Sequence, residues 1–157
     1  MSSALLAKII TEEHASFLSF LALLDEEYEV LLRGQVEALT PLLVKLETVA
    51  SNLSEFARQR ETLIGQHNNV NPADMVNWIK ANAGSDSSHL LGLWRALIDI
   101  AEKTRLKHLA NGSLIETLAR NNTHAIQVLA AASQINSLYG PDGKLQGFSS
   151  FQLRGQA

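Results

Sequence analysis

The sequence predicts an all-α protein: an antiparallel bundle of three long helices, coiled-coil-like, with one short connecting helix and a mobile C-terminal tail. Three observations predict it. The chain is rich in Leu and Ala and poor in glycine, proline and aromatic residues. Apolar residues recur in alternating steps of four and three over three long stretches, the spacing of helices packed along their length. The gaps between those stretches carry the punctuation of helix ends, a glycine after the last periodic residue and a Thr-Pro or Asn-Pro pair before the next start. One domain over residues 1–157 is expected, made of a helical hairpin (1–66), a short helix (71–84), a long helix (87–139) and the tail (140–157).

The first helix runs from about Ser3 to Arg33, with Ser2 or Ser3 as cap. Its seam is Ile10, His14, Phe17, Leu21, Leu24, Tyr28 and Leu31. Leu6, Leu18 and Leu32 broaden the stripe, and Glu26, Glu27 and Glu29 fall mostly on the opposite face. Gly34 is a natural stop, since only glycine enters the left-handed region without steric cost. After a short link, Thr40 and Pro41 read as N-cap and first helical residue of a second helix reaching about Gln66. Its seam is Leu42, Leu46, Val49, Leu53, Phe56, Arg60 and Leu63. Arg60 interrupts it, and the expectation is a packed stem with the guanidinium reaching water or a glutamate of the first helix. So short a link makes the two helices an antiparallel hairpin.

Asn71-Pro72-Ala73-Asp74 is a second cap-plus-proline start, with an acid in the first turn. The short helix it opens ends at Gly84 and packs through Met75, Trp78 and Ile79. Ser85-Asp86-Ser87-Ser88 then caps the longest helix, expected from Ser87 to Tyr139. Its seam is unbroken: Leu90, Trp94, Leu97, Ala101, Thr104, His108, Asn111, Ile115, Leu118, Asn122, Ala125, Leu129, Ala132, Asn136 and Tyr139. At 1.5 Å per residue this helix would span roughly 75–80 Å, about twice the other two. Either it breaks, or part of its seam has no partner within the chain. Asn111-Gly112 is its weakest dipeptide and the expected place for a kink or swivel, because glycine costs a helix about 1 kcal/mol relative to alanine. Gly140-Pro141-Asp142-Gly143 is a turn cluster, and the sequence after it has no helical period.

Composition excludes several classes. The formal net charge of −3 lacks the clustered Lys and Arg that nucleic acid or anionic membrane would call for. The absence of cysteine removes disulfides, thiol nucleophiles and cysteine-ligated metals. The N-terminus has no basic n-region or uninterrupted apolar core, and no run approaches the roughly 20 apolar residues of a membrane span, so a cytoplasmic protein without membrane insertion is expected. The histidines, His14, His67, His89, His108 and His124, lack the spacing of a metal-binding bundle. No nucleophile elbow, P-loop or dinucleotide fingerprint occurs. No catalytic residue, metal or cofactor is expected. Asn52, Asn111 and Asn121 open chance matches to the glycosylation pattern.

Two properties of the longest helix bear on function. Thr104, His108, Asn111, Asn122 and Asn136 make its seam partly polar. Such residues either fix register inside a permanent core or face a partner that comes and goes. After Asn111 the stripe Leu114, Ile115, Leu118, Ala119, Ile126, Leu129, Ala130, Ala131, Ala132 and Ile135 is broad and almost uncharged. An apolar surface of that kind is either an interaction site or is covered by the first helix or a second copy of the chain.

The segment Asn111-Gly112-Ser113-Leu114-Ile115, followed some two dozen residues later by Leu-Tyr-Gly-Pro-Asp-Gly at Leu138 to Gly143, resembles the C-terminal signature of the FlgN-type flagellar export chaperones. The first two helices resemble the opening hairpin of that family more loosely, through Leu24, Glu27, Leu31, Leu32, Lys45 and Arg60. The segment Asn71 to Gly84 has no counterpart in the pattern. The resemblance implies a cytoplasmic type III secretion chaperone. Its clients would be the hook-associated, hook–filament junction proteins, bound through their C-terminal helical segments, kept from premature assembly and delivered to the flagellar export gate and ATPase complex. Carried over by position, the client-binding residues are Asn111, Leu114, Ile115, Leu118, Asn122, Ile126, Leu129 and Ile135. The export-gate docking residues are Tyr139, Gly140, Asp142 and Gly143. A monomer or weak dimer is implied. The competing readings are a constitutive coiled-coil oligomer or adaptor, and a helical-bundle enzyme or metal carrier using His108.

Overall fold

A computed structural model of the chain describes residues 2–65, 71–121 and 130. Among the described residues every element is helical: α1 (Ser2–Leu32), a 3₁₀ turn (Val36–Ala38), α2 (Leu39–Leu63), α3 (Pro72–Asn82), a second 3₁₀ turn (Gly84–Asp86) and α4 (Ser87–Asn121). The all-α bundle of three long helices and one short one is what the periodicity predicts. The extension of α4 to Tyr139 and the tail after it lie outside the described residues.

The helix ends follow from local chemistry. α1 stops at Gly34, whose φ of 69° is open to glycine and strained for other residues. The Gly34 N–H donates to the Leu31 carbonyl and the Gln35 N–H to that of Val30, the paired bonds of a Schellman motif. Gly65, with φ 76°, closes α2 in the same way through its N–H on the Thr62 carbonyl. α3 opens with a complete capping box: the Asp74 N–H donates to Asn71 Oδ1 at 3.0 Å and the Asn71 N–H to Asp74 Oδ2 at 3.1 Å. Two starts differ from the sequence reading. Thr40 does not cap α2, because a 3₁₀ turn leads straight into the helix at Leu39 and leaves Thr40 and Pro41 inside its first turn. The serines before α4 do not cap it either, since Gly84–Asp86 is a 3₁₀ turn continuous with the helix.

The chain divides into two compact units, and α1, α2 and α4 contribute residues to both. The first unit comprises Met1–Leu18 and Asn52–Glu102. Its core is Leu6, Ile10 and Phe17 of α1, Leu53 of α2 and Ile64 just after it, Met75 and Ile79 of α3, and Leu90, Trp94, Leu97 and Ile100 of α4. Trp78 is only half-buried. The second unit comprises Ser19–Ser51 and Lys103–Ala157. Its buried apolar residues include Phe20, Leu24 and Leu31 of α1, Leu39, Leu42, Leu46 and Ala50 of α2, and Ile115 of α4. Each fully buried Leu, Ile or Phe is worth roughly 1.5–3 kcal/mol, so these stripes supply the driving force of the fold.

α1 is rotated relative to the expected seam. Its buried positions are Leu6, Glu13, Phe20 and Glu27, interleaved with Ile10, Phe17, Leu24 and Leu31, and Ile9 beside Ile10. His14, Leu21 and Tyr28 are half-buried flanks. Leu18 and Leu32, expected to broaden the stripe, are 49% and 56% exposed. Glu27, expected on the outer face, is 3% exposed. The correction has a simple cause: a strict seven-residue repeat from Leu6 places a glutamate at every second core position. The expectation for Arg60 holds, for its guanidinium is bonded to Glu13 of α1.

Candidate functional site

The residues singled out by the sequence lie in the second unit, where α1 and α4 run side by side. Helical periodicity puts Thr104, His108, Asn111 and Ile115 on one face of α4, and all four are buried. α4 is one continuous helix through Asn111 and Gly112, without a break at that dipeptide. Gly112 itself is buried.

The Asn111 side chain uses both of its amide hydrogens. Nδ2 donates to the Leu24 carbonyl of α1 at 2.8 Å and to Glu27 Oε1 at 2.9 Å. Its Oδ1 is buried and accepts no hydrogen bond among the described residues. Burial raises the Glu27 carboxyl above its ordinary value of 4.5, and the Asn111 hydrogen bond opposes that rise. One turn back along α4, the His108 ring lies 6.2 Å from that of Phe20, tilted by 32°. At the rim, Lys107 Nζ is 3.3 Å from Asp25 Oδ1 and 4.0 Å from the centre of the Tyr28 ring.

The first unit handles its buried acid differently. Arg60 donates from Nε to Glu13 Oε2 at 2.6 Å and from Nη2 to Oε1 at 3.0 Å, and its guanidinium carbon lies 5.0 Å from the centre of a Trp94 ring. A two-pronged pair stacked on an indole satisfies the charge by geometry and leaves no cation for a ligand. Among the described residues no group of three or more His, Asp or Glu side chains could hold a metal ion.

The Asn111 bonds also fix a register. They join residues 84 and 87 positions apart on two helices running in the same direction. Carried to Leu32, the last residue of α1, that offset reaches Glu116 to Ala119 of α4. Ile115, 2% exposed, is the last buried residue of described α4. Leu114, Leu118 and Ala119 are half-buried. The expected client-binding set therefore divides. Asn111 and Ile115 are enclosed within the second unit and present almost no surface: both hydrogens of the Asn111 amide are taken up by α1, and Ile115 is 2% exposed. Leu114 and Leu118 keep part of their surface open. Asn122, Ile126, Leu129 and Ile135, and with them Tyr139, Gly140, Asp142 and Gly143, lie outside the described residues.

Sequence reasoning missed Glu13 and Glu27 as buried polar partners. The signal was available in the heptad that joins them to Leu6 and Phe20, but an acidic residue is ordinarily assigned to the solvated face.

Residues 1–147 match the FlgN protein family. Two relatives named flagella synthesis protein FlgN, from Yersinia enterocolitica and from its serotype O:8 / biotype 1B strain NCTC 13174 / 8081, are each 28% identical to the chain over 124 residues. That alignment covers 79% of this chain and 78% of each relative. No solved structure matches the chain. Among the described residues no helix is long and apolar enough to cross a membrane. The match spans both units and runs on past the described end of α4, and on it the chain belongs to the FlgN family.

Proposed function

We propose that this protein is a cytoplasmic type III secretion chaperone that binds hook-associated, hook–filament junction proteins, prevents their premature assembly and delivers them to the flagellar export apparatus. The single observation that carries the reading is the register of α4. The hairpin ends level with Glu116 to Ala119, yet the apolar pattern of the sequence continues through Ile126, Leu129 and Ile135. An apolar stripe on a helix is a ready groove partner for an amphipathic client helix. Leu114 and Leu118 open the client-binding surface, and Asn122, Ile126, Leu129 and Ile135 continue it. Tyr139, with Gly140, Asp142 and Gly143, serves the export gate. Membership of the FlgN family and the names of the two relatives support a flagellar role.

The test is calorimetric titration of the C-terminal segment of a hook–filament junction protein into the full chain, beside a variant carrying Leu118→Asp and Leu129→Asp. The reading expects binding to the first and none to the second, with both folded. Absence of binding to either overturns it and favours a coiled-coil oligomer, in which a second copy covers the stripe.

A further inference from the structure

The two units bury a glutamate each, at equivalent heptad positions of α1, and treat it in opposite ways. Glu13 meets a guanidinium through two bonds. Glu27 accepts from the neutral amide of Asn111, and among the described residues no Lys or Arg is within ion-pair distance of it. A buried carboxylate held by one neutral donor is under-compensated, because desolvation of the charge exceeds what a single such bond returns. Asn111 is itself incompletely matched, since its Oδ1 has no donor among the described residues. Gly112, the next residue, adds a local weakness to the helix that bears the amide. The polar contact that sets the register of α4 on α1 is thus also an incompletely matched one.

We propose that the Asn111–Glu27 pair is a releasable clasp: it fixes α4 in register on α1 and also sets how readily α4 beyond Lys103 comes away. A purely apolar seam would hold these helices more tightly, and a matched ion pair would make separation costly. An amide on a lone carboxylate does neither. It gives one bonded arrangement when closed, and both groups regain water when open. The clasp belongs to the chain by itself, so its failure would leave the chaperone reading standing, and failure of client binding would leave the clasp standing.

Hydrogen exchange read by mass spectrometry on the full-length chain tests it. In the wild type, amides of 104–118 and 19–32 exchange through local opening faster than those of Leu90 to Ile100. In the Glu27→Leu, Asn111→Leu double variant, protection of 104–118 and 19–32 rises by about tenfold or more, as apolar replacement of an under-compensated buried pair predicts, while Leu90 to Ile100 changes little. Glu27→Gln keeps the size, removes the charge and offers Asn111 Oδ1 an N–H, so protection of the same segments rises by a smaller factor. Unchanged or reduced protection there in a folded Glu27→Gln chain overturns the proposal. So does a rise that is uniform through 87–102. Should the double variant not fold, Glu27→Gln decides alone.

Discussion

Arg60 of α2 holds Glu13 of α1 in a two-pronged ion pair whose side chains are only 11% and 4% exposed, the guanidinium lying over the indole of Trp94. Removing one partner from such a pair leaves a buried charge without compensation. Arg60→Ala should lower the unfolding free energy by about 3–5 kcal/mol. The double replacement Glu13→Leu, Arg60→Leu should cost far less or stabilise. Urea unfolding of the three proteins checks both, and equal losses in the single and double variants would refute the pair's role.

Glu27 predicts a dependence on pH with a definite sign. Its carboxyl is raised above 4.5, chiefly by burial, so the folded chain holds this proton more tightly than the unfolded chain. The stabilising contribution is complete below the unfolded value and is lost as pH rises through the raised one. The stability advantage of Glu27→Gln over wild type should therefore grow from acidic conditions towards neutrality. Urea midpoints across a pH series measure the difference, and a gap that shrinks with rising pH would contradict the burial of the charge.

Ile115 and Leu118 should part company on mutation. Ile115 is 2% exposed and Leu118 half-buried. Ile115→Ala should cost about 2–4 kcal/mol through the cavity it leaves, and Leu118→Ala clearly less. Thermal unfolding of the pair settles which of the two is a usable surface probe, since a loss of partner binding in Ile115→Ala would be confounded by lost packing.

The ends of the short elements carry measurable amounts. Asn71→Ala removes the acceptor of the α3 capping box and should cost about 1 kcal/mol. Gly34→Ala meets no atom within 4 Å, so its cost is the left-handed backbone alone, about 1–2 kcal/mol. Denaturant midpoints of both variants test these values against an exposed control such as Ala81→Ser.

The long helices, the glycine stops at Gly34 and Gly84 and the Asn71 cap were legible in the sequence because each rests on a local rule: periodicity, positive φ, a side-chain bond across three residues. The seam of α4 was legible as far as Ile115 for the same reason. What escaped was the rotation of α1. Leu21 and Tyr28 look like core by chemistry, and Glu13 and Glu27 look like surface, yet the heptad puts the acids inside. Their burial depends on Arg60 and Asn111, 47 and 84 residues away, and no window along the chain contains both members of either pair. Asn111 itself was found, but its amide proved to be used within the chain and not displayed.

The chain has two tryptophans, Trp78 and Trp94, and both belong to the first unit. Trp94 is 5% exposed beneath a guanidinium, so its emission should shift and change intensity when that unit loosens. The second unit has no indole. Its described aromatic rings are Phe20 and Tyr28. Tryptophan fluorescence is therefore a reporter for one unit, whereas far-ultraviolet circular dichroism sums over both. Overlaid denaturation curves from the two probes would coincide for a chain that melts as one cooperative body. A dichroism curve that falls first, with fluorescence still native, would show the second unit giving way alone, with no label needing to be attached.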